Sequence, residues 1–207
     1  MKRYIEDCAS VDQEYLREPL QLASGHIPKA LNGYLLRNGA GRFENYGIRY
    51  QHPFDGDGMI CSFFFEEGKI HYSNRFVRTQ EFLEEEKKGK MCYRSLGTNL
   101  PGGILQNFGK LKVKNAANTS VVYHGGKLLA LWEGGLPHEI APDNLATRGR
   151  FDYEGKLINR GSWLERYINP ELAFSAHPKL HPISGDLYNF GMVSGPKNYL
   201  ATHRVDP

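Results

Sequence analysis

An all-β fold is what this sequence predicts, and three observations carry the prediction. Aromatic residues make up 12% of the 207 residues, with 12 Tyr and 11 Phe against 2 Trp. There are 23 Gly and 11 Pro, the residues of tight turns. Short apolar runs recur in pairs on either side of glycine-bearing turns, the pattern of antiparallel hairpins. Such hairpins build a sandwich, a barrel or a propeller, and periodicity alone does not choose among them.

The elements follow in chain order. Residues 1–26 are mixed and polar, with Leu16, Leu20 and Leu22 as apolar anchors, and read as an N-terminal arm over a body. Regular structure is expected from Ile27, where the turn dipeptides Asn32-Gly33 and Asn38-Gly39 bracket a short apolar run. Ile60–Phe65 and Ile70–Val77 form a first hairpin around Glu66-Glu67-Gly68-Lys69, and Phe63-Phe64-Phe65 is a buried strand. A short helix is predicted near 80–88. Thr79 caps it, Glu81, Glu84, Glu85 and Glu86 load its N-terminal side, Lys87 and Lys88 suit its C-terminal end, and Gly89 stops it. Lys110, Lys112 and Lys114 alternate, which on a strand gives one solvated lysine face that guards an edge. Ser120–Tyr123 and Leu128–Trp132 form a second hairpin around His124-Gly125-Gly126-Lys127. A third is expected between Leu172–His177 and Leu187–Met192, through the turn His181–Asp186. Tyr199–Pro207 reads as a strand entering a turn. A final strand without a neighbour would leave backbone donors and acceptors unpaired, so the chain is expected to be a piece of a longer domain.

Composition excludes several functions. A net charge of +3 makes no case for nucleic acid. Cys8, Cys61 and Cys92 are widely spaced and include no C-x-x-C pair, which argues against a zinc ribbon or a disulfide framework and fits a reducing cytoplasm. No apolar run follows Met1–Asp7 as in a signal peptide, and no stretch approaches 18 apolar residues.

Several constellations bear on chemistry. His177 and His181 have the i, i+4 spacing of helical zinc motifs, but Pro178 and Pro182 follow them and disfavour helix at the preceding residue. The glutamate of H-E-x-x-H is also missing. Asp55 and Asp57 could open a calcium loop, yet Met59 and Ile60 stand where a ligand and a glycine are required, so a tight turn accepting backbone N–H bonds is the reading. No P-loop, G-x-G-x-x-G or G-x-S-x-G is present. Glu133, between an apolar strand and Gly134-Gly135, reads from spacing alone as solvated.

Six stretches taken together resemble the carotenoid cleavage oxygenase family, which includes apocarotenoid oxygenases, carotenoid dioxygenases and the retinal pigment epithelial membrane protein. They are Leu31–Gly39, His52–Met59, Asn74–Thr79, Ala117–Val122, Leu128–Pro137 and Ala176–Lys179, in family order. The resemblance implies a seven-bladed β-propeller with Fe(2+) on its axis, held by four histidines from different blades. His177 matches the first of these metal ligands. Glu133 matches a glutamate that orients a ligand histidine, with its partner expected from a later blade. The implied reaction uses dioxygen to cleave a conjugated double bond of a carotenoid or apocarotenoid into two carbonyl products. None of the other seven histidines matches a ligand position. Residues 27–207 are therefore expected to be the first two to three blades of an incomplete propeller, inactive and iron-free by themselves. The alternatives are a non-catalytic remnant of such an enzyme and an isomerohydrolase-like member that cleaves esters at the same kind of site. A polyene substrate also implies a location peripheral to a membrane.

Overall fold

The computed structural model describes residues 8–103, 107–108, 112–168, 170–193 and 198–207. Thirteen strands and two short α-helices are found among them. The strands form successive antiparallel sheets and no closed barrel.

The first sheet is ordered β1 (Tyr15–Pro19), β6 (Lys69–Phe76), β5 (Asp57–Glu66), β2 (Gly33–Arg42). Regular structure thus begins earlier than the turn dipeptides imply: the arm supplies β1, which pairs with β6. Asn38-Gly39 is no turn but lies inside β2. Asn38 turns its Nδ2 to the carbonyls of Ala117 (2.9 Å) and Ser120 (2.8 Å), tying this sheet to the next. The β5–β6 turn has φ of 48° at Glu67 and 79° at Gly68, the two left-handed positions of a two-residue hairpin. Phe63, Phe64 and Phe65 are half-buried. A small ribbon of β3 (Glu44–Asn45) and β4 (Ile48–Arg49) follows β2.

Helix α1 (Gln80–Lys88) lies where the sequence places it. The Thr79 Oγ1 accepts from the Phe82 N–H at 3.1 Å, and Gly89 ends the helix at φ 61°. Two of its glutamates do more than complement the dipole. Glu81 and Glu85, four residues apart on one face, are buried. Glu81 pairs with Arg150 (2.7 Å) and Lys112 (2.8 Å), and Glu85 with Lys114 (2.7 Å). The expected lysine face therefore does not exist as such. Lys112 is exposed, Lys114 is wholly buried, and Lys110 lies outside the described residues. Alternation failed as a guide because residues 112–114 make only an isolated bridge, Arg94 to Val113, rather than a strand.

The second sheet is ordered β10 (Thr147–Arg150), β9 (His138–Ile140), β8 (Lys127–Leu131), β7 (Ser120–His124). Its central strand explains its own composition. Leu128 and Ala130 pack with Ile60, Val77 and Ile140 on one side. Leu129 and Leu131 pack with Phe174, Ala176 and Leu187 on the other. A strand buried on both faces has no polar side to alternate with, and each such Leu contributes about 1.5–3 kcal/mol.

The third sheet corrects an expectation. Its order is β11 (Lys179–Leu180), β12 (Leu187–Val193), β13 (Tyr199–Val205). The long hairpin is β12–β13, paired from Leu187–Val205 to Val193–Tyr199, while residues 172–177 are not a strand. Helix α2 (Trp163–Ile168) lies between the second and third sheets in sequence. None of the three cysteines is in a disulfide. No helix among the described residues is long and apolar enough to cross a membrane.

Candidate metal centre

The segment that carries His177 is held by its backbone. Phe174 donates its N–H to the Gly135 carbonyl (3.2 Å), and Ser175 donates its N–H to the Phe190 carbonyl (2.8 Å). The Ser175 carbonyl accepts from Asn189 Nδ2 (2.8 Å), and the Ala176 carbonyl accepts from the Ser120 hydroxyl. His203 closes the other end, with Nε2 3.1 Å from the Ala173 carbonyl and its ring stacked on Phe174. Phe174, Ser175 and Ala176 are buried between the second and third sheets. The chain then surfaces, and the His177 side chain is 67% exposed.

Glu133 reaches the same point from the second sheet, two residues past the end of β8. Its Oε1 lies 3.0 Å from His177 Nε2 and accepts a hydrogen bond from it. The Ser175 hydroxyl donates to the other carboxylate oxygen, Oε2, at 3.0 Å. The same hydroxyl accepts from the His177 N–H at 3.2 Å. The two residues singled out in the sequence are thus brought together. Their pairing with each other differs from the expectation that Glu133 meets a histidine from a later blade. Ser175 was missed. Its signal is its place two residues before His177, where a hydroxyl can reach forward to accept from the i+2 amide.

Several other histidines act in turns and loops. His52 Nδ1 accepts from the Phe54 N–H at the start of a 3-10 turn, and His181 Nδ1 accepts from the Ser184 N–H within its own turn. His124 Nε2 meets the Gly185 carbonyl at 2.9 Å. Asp55 accepts from the Gly97 N–H, as a turn aspartate does, whereas Asp57 pairs with Lys114.

His138, on β9, is buried, and neither ring nitrogen has a hydrogen-bond partner among the described residues. Burial, reinforced by the nearby Arg150 charge and only partly offset by Glu81, pushes its pKa down to about 4. A depressed basic group stabilises the fold above its unfolded pKa of about 6.5, and that contribution is lost as pH falls toward 4. We expect about 3 kcal/mol to disappear across this window. Urea titrations at pH 7 and pH 4 should show this loss as the difference between the wild-type chain and His138→Leu. An equal acid sensitivity in the two would contradict it.

Among the described residues no group of three or more His, Cys, Asp or Glu side chains is placed to hold a metal. What the chain presents is one exposed imidazole backed by one carboxylate. That fits a single position of a multi-imidazole ferrous site, and not a complete one.

Comparison with known proteins places the chain in one family. The family model described as retinal pigment epithelial membrane protein, RPE65, matches residues 8–207. The apocarotenoid-15,15'-oxygenase of Synechocystis sp. is 46% identical over 162 residues, covering 77% of this chain and 31% of that protein. An isoeugenol monooxygenase of Pseudomonas nitroreducens is 36% identical, covering 82% of this chain and 32% of that protein. The carotenoid 9,10(9',10')-cleavage dioxygenase 1 of Phaseolus vulgaris is 34% identical, covering 87% and 33%. Among solved structures, a glutamate-to-glutamine variant of Synechocystis apocarotenoid oxygenase superposes with a TM-score of 0.85 at 39% identity, covering 96% of this chain and 40% of that one. The cobalt-substituted form of that oxygenase superposes with a TM-score of 0.82 at 38% identity, with the same coverage. The chain spans about a third of the length of these curated relatives. Its sheets are a fragment of their β-propeller fold, and the chain belongs to the RPE65 (retinal pigment epithelial membrane protein) family of carotenoid oxygenases.

Proposed function

We propose that this chain is the part of a non-haem iron(II) oxygenase that supplies one imidazole ligand, His177, and the carboxylate beside it, Glu133, for oxidative cleavage of a carotenoid or apocarotenoid. The observation that carries the reading is their contact at 3.0 Å, at the mouth of a buried segment, in a chain matched to the family from residue 8 to 207. The bound iron would supply dioxygen chemistry at a conjugated double bond, yielding two carbonyl products.

The residues of this chain do the holding. The hydrogen bonds along 173–176 fix the backbone that leads to His177, so little conformational freedom is lost when a ligand meets its ring. The Glu133 carboxylate restricts the ring and fixes which nitrogen carries the proton. The apolar packing of Phe174, Ala176 and Leu187 directly behind keeps water from that side. A polyene partitions into lipid, so we assign the working protein to a membrane surface.

The test is to extend the chain by the sequence that completes the propeller and to measure iron by elemental analysis. The extended protein is expected to hold iron stoichiometrically and to convert an apocarotenal into two carbonyl products. His177→Ala is expected to lose the iron with the fold retained, and the 207-residue chain alone to hold none. A folded, extended protein without iron would overturn the reading.

A further inference from the structure

The second sheet shows how this fold treats a sheet that is covered on both faces. Its strand β8 is apolar on either side, because Leu128 and Ala130 meet the first sheet while Leu129 and Leu131 meet the third. The first and third sheets each have one covered face and one open face. The water-facing side of an antiparallel sheet is ordinarily polar, and neither open face is.

On the third sheet, β12 alternates strictly between buried and exposed positions. Leu187, Asn189 and Gly191 turn toward the His177 segment. Tyr188, Phe190 and Met192 turn away, and the register sets Leu200 of β13 opposite Met192. All four are exposed, Met192 at 68% and Leu200 at 57%. On the first sheet, Ile60 and Leu36 face the second sheet. The alternate positions of the same strands set Leu35 opposite Phe63, and Phe63 opposite Tyr72. The rings of Phe63 and Tyr72 are 5.2 Å apart and those of Tyr72 and Tyr15 6.3 Å, so an apolar row crosses β2, β5, β6 and β1. Leu35 and Tyr15 are exposed, and Phe63 and Tyr72 are half-buried.

These faces close the two ends of a series. Within the chain, the first sheet is laid on the second and the second on the third, each time through apolar side chains of facing strands. A second copy set in line continues the same series, with its first sheet laid on the third sheet of the copy before it. The two surfaces differ, so the contact is heterologous. Aromatic residues and Met, which dominate both faces, are the side chains enriched in the cores of protein interfaces.

We propose that the 207-residue chain associates head to tail with copies of itself. The face of Tyr188, Phe190, Met192 and Leu200 on one copy receives the face of Leu35, Phe63, Tyr72 and Tyr15 on the next. The contact requires neither iron nor His177, so it stands apart from the functional reading above.

Sedimentation velocity on the metal-free chain reads the association directly. The average mass of the wild-type chain is expected to rise with concentration, across the micromolar range, to at least twice the monomer mass. Phe190→Glu places an unpaired charge on one face and Leu35→Glu places one on the other. Each variant alone is expected to stay at the monomer mass. An equimolar mixture of the two should form dimers and nothing larger, because each still carries the face that the other has lost. A misfolded variant could not restore that dimer. Should either variant fail to unfold cooperatively in urea, Met192→Glu and Tyr15→Glu repeat the mixture at exposed positions of the same two faces. A wild-type chain that stays monomeric would overturn the proposal. So would a mixture of folded variants that stays monomeric. Dimers formed by one variant alone would also overturn it, since they require a symmetric contact through a single face.

Discussion

Lys114→Met is expected to destabilise the chain by about 3–5 kcal/mol, the cost of stripping one partner from a buried ion cluster. Lys114 is fully buried, with its ammonium 2.5 Å from Asp57 Oδ1, 2.7 Å from Glu85 Oε2 and 3.4 Å from the Tyr50 hydroxyl. Burial alone would push the Lys114 pKa down. The Asp57 and Glu85 carboxylates outweigh it and hold the group above the usual lysine range. Burial, with the Asp57 charge beside it, pushes the Tyr50 phenol up to about 12, so it stays neutral and does not compete as an anion. Methionine fills much of the lysine's volume, so the loss is electrostatic rather than a cavity. Two buried carboxylates would be left close together, with only the more distant Arg42, 3.8 Å from Asp57 Oδ2, to compensate them. Glu85 is also the acceptor for the Cys92 and Tyr93 amides, so the disturbance should spread to the chain just past α1. Urea unfolding gives the magnitude. Adding Glu85→Gln to Lys114→Met should recover part of the loss, because one of the stranded charges is removed. A loss below about 1 kcal/mol for the single change would mean that water reaches the cluster.

That cluster also shows where the sequence could be read and where it could not. Local signals were reliable. The Thr79 cap, the Gly89 stop and the turns at Glu67-Gly68 and Gly125-Gly126 each act within a few residues. Signals that depend on distant partners were not reliable. Lys114 looked like one tooth of a surface comb, because nothing in Lys-Leu-Lys-Val-Lys announces Asp57 and Glu85. Leu172–His177 has the apolar content of a strand, but on the edge of β12 away from β13 only Lys179–Leu180 pairs as a strand, and the segment is held instead by single bonds to Gly135, Phe190, Asn189 and Ser120. The candidate site divides the same way. His177 and Glu133 were found through resemblance, each on its own motif. Their contact joins residues 44 positions apart and depends on how the second and third sheets face each other, which no short-range pattern encodes.

Gly191→Ala is expected to destabilise the chain by about 3 kcal/mol and to loosen the His177 segment with it, the upper range for forcing a methyl into a packed interior. Gly191 lies in the middle of β12, where a glycine ordinarily weakens a strand. Its reason is close approach: a Cβ there would stand 1.8 Å from the Ala173 carbonyl oxygen and 2.5 Å from its carbon. Both are backbone atoms, so no rotamer change can relieve the clash, and either β12 or the 173–176 segment must move. Movement of that segment breaks the Ser175-to-Phe190 bond next to the substitution and carries Ser175 away from Glu133. Gly39→Ala supplies the contrast. It too is a mid-strand glycine, but a Cβ there meets nothing within 4 Å, so alanine should be neutral or stabilising by a few tenths of a kcal/mol. Amide exchange separates the two effects. In Gly191→Ala, protection of the Ser175 amide should fall by more than that of Leu128–Leu131 in β8, because the strain enters at residue 173. A uniform loss of protection across both would mean that the clash is absorbed by the whole sheet, and that the His177 segment is not specially tied to β12.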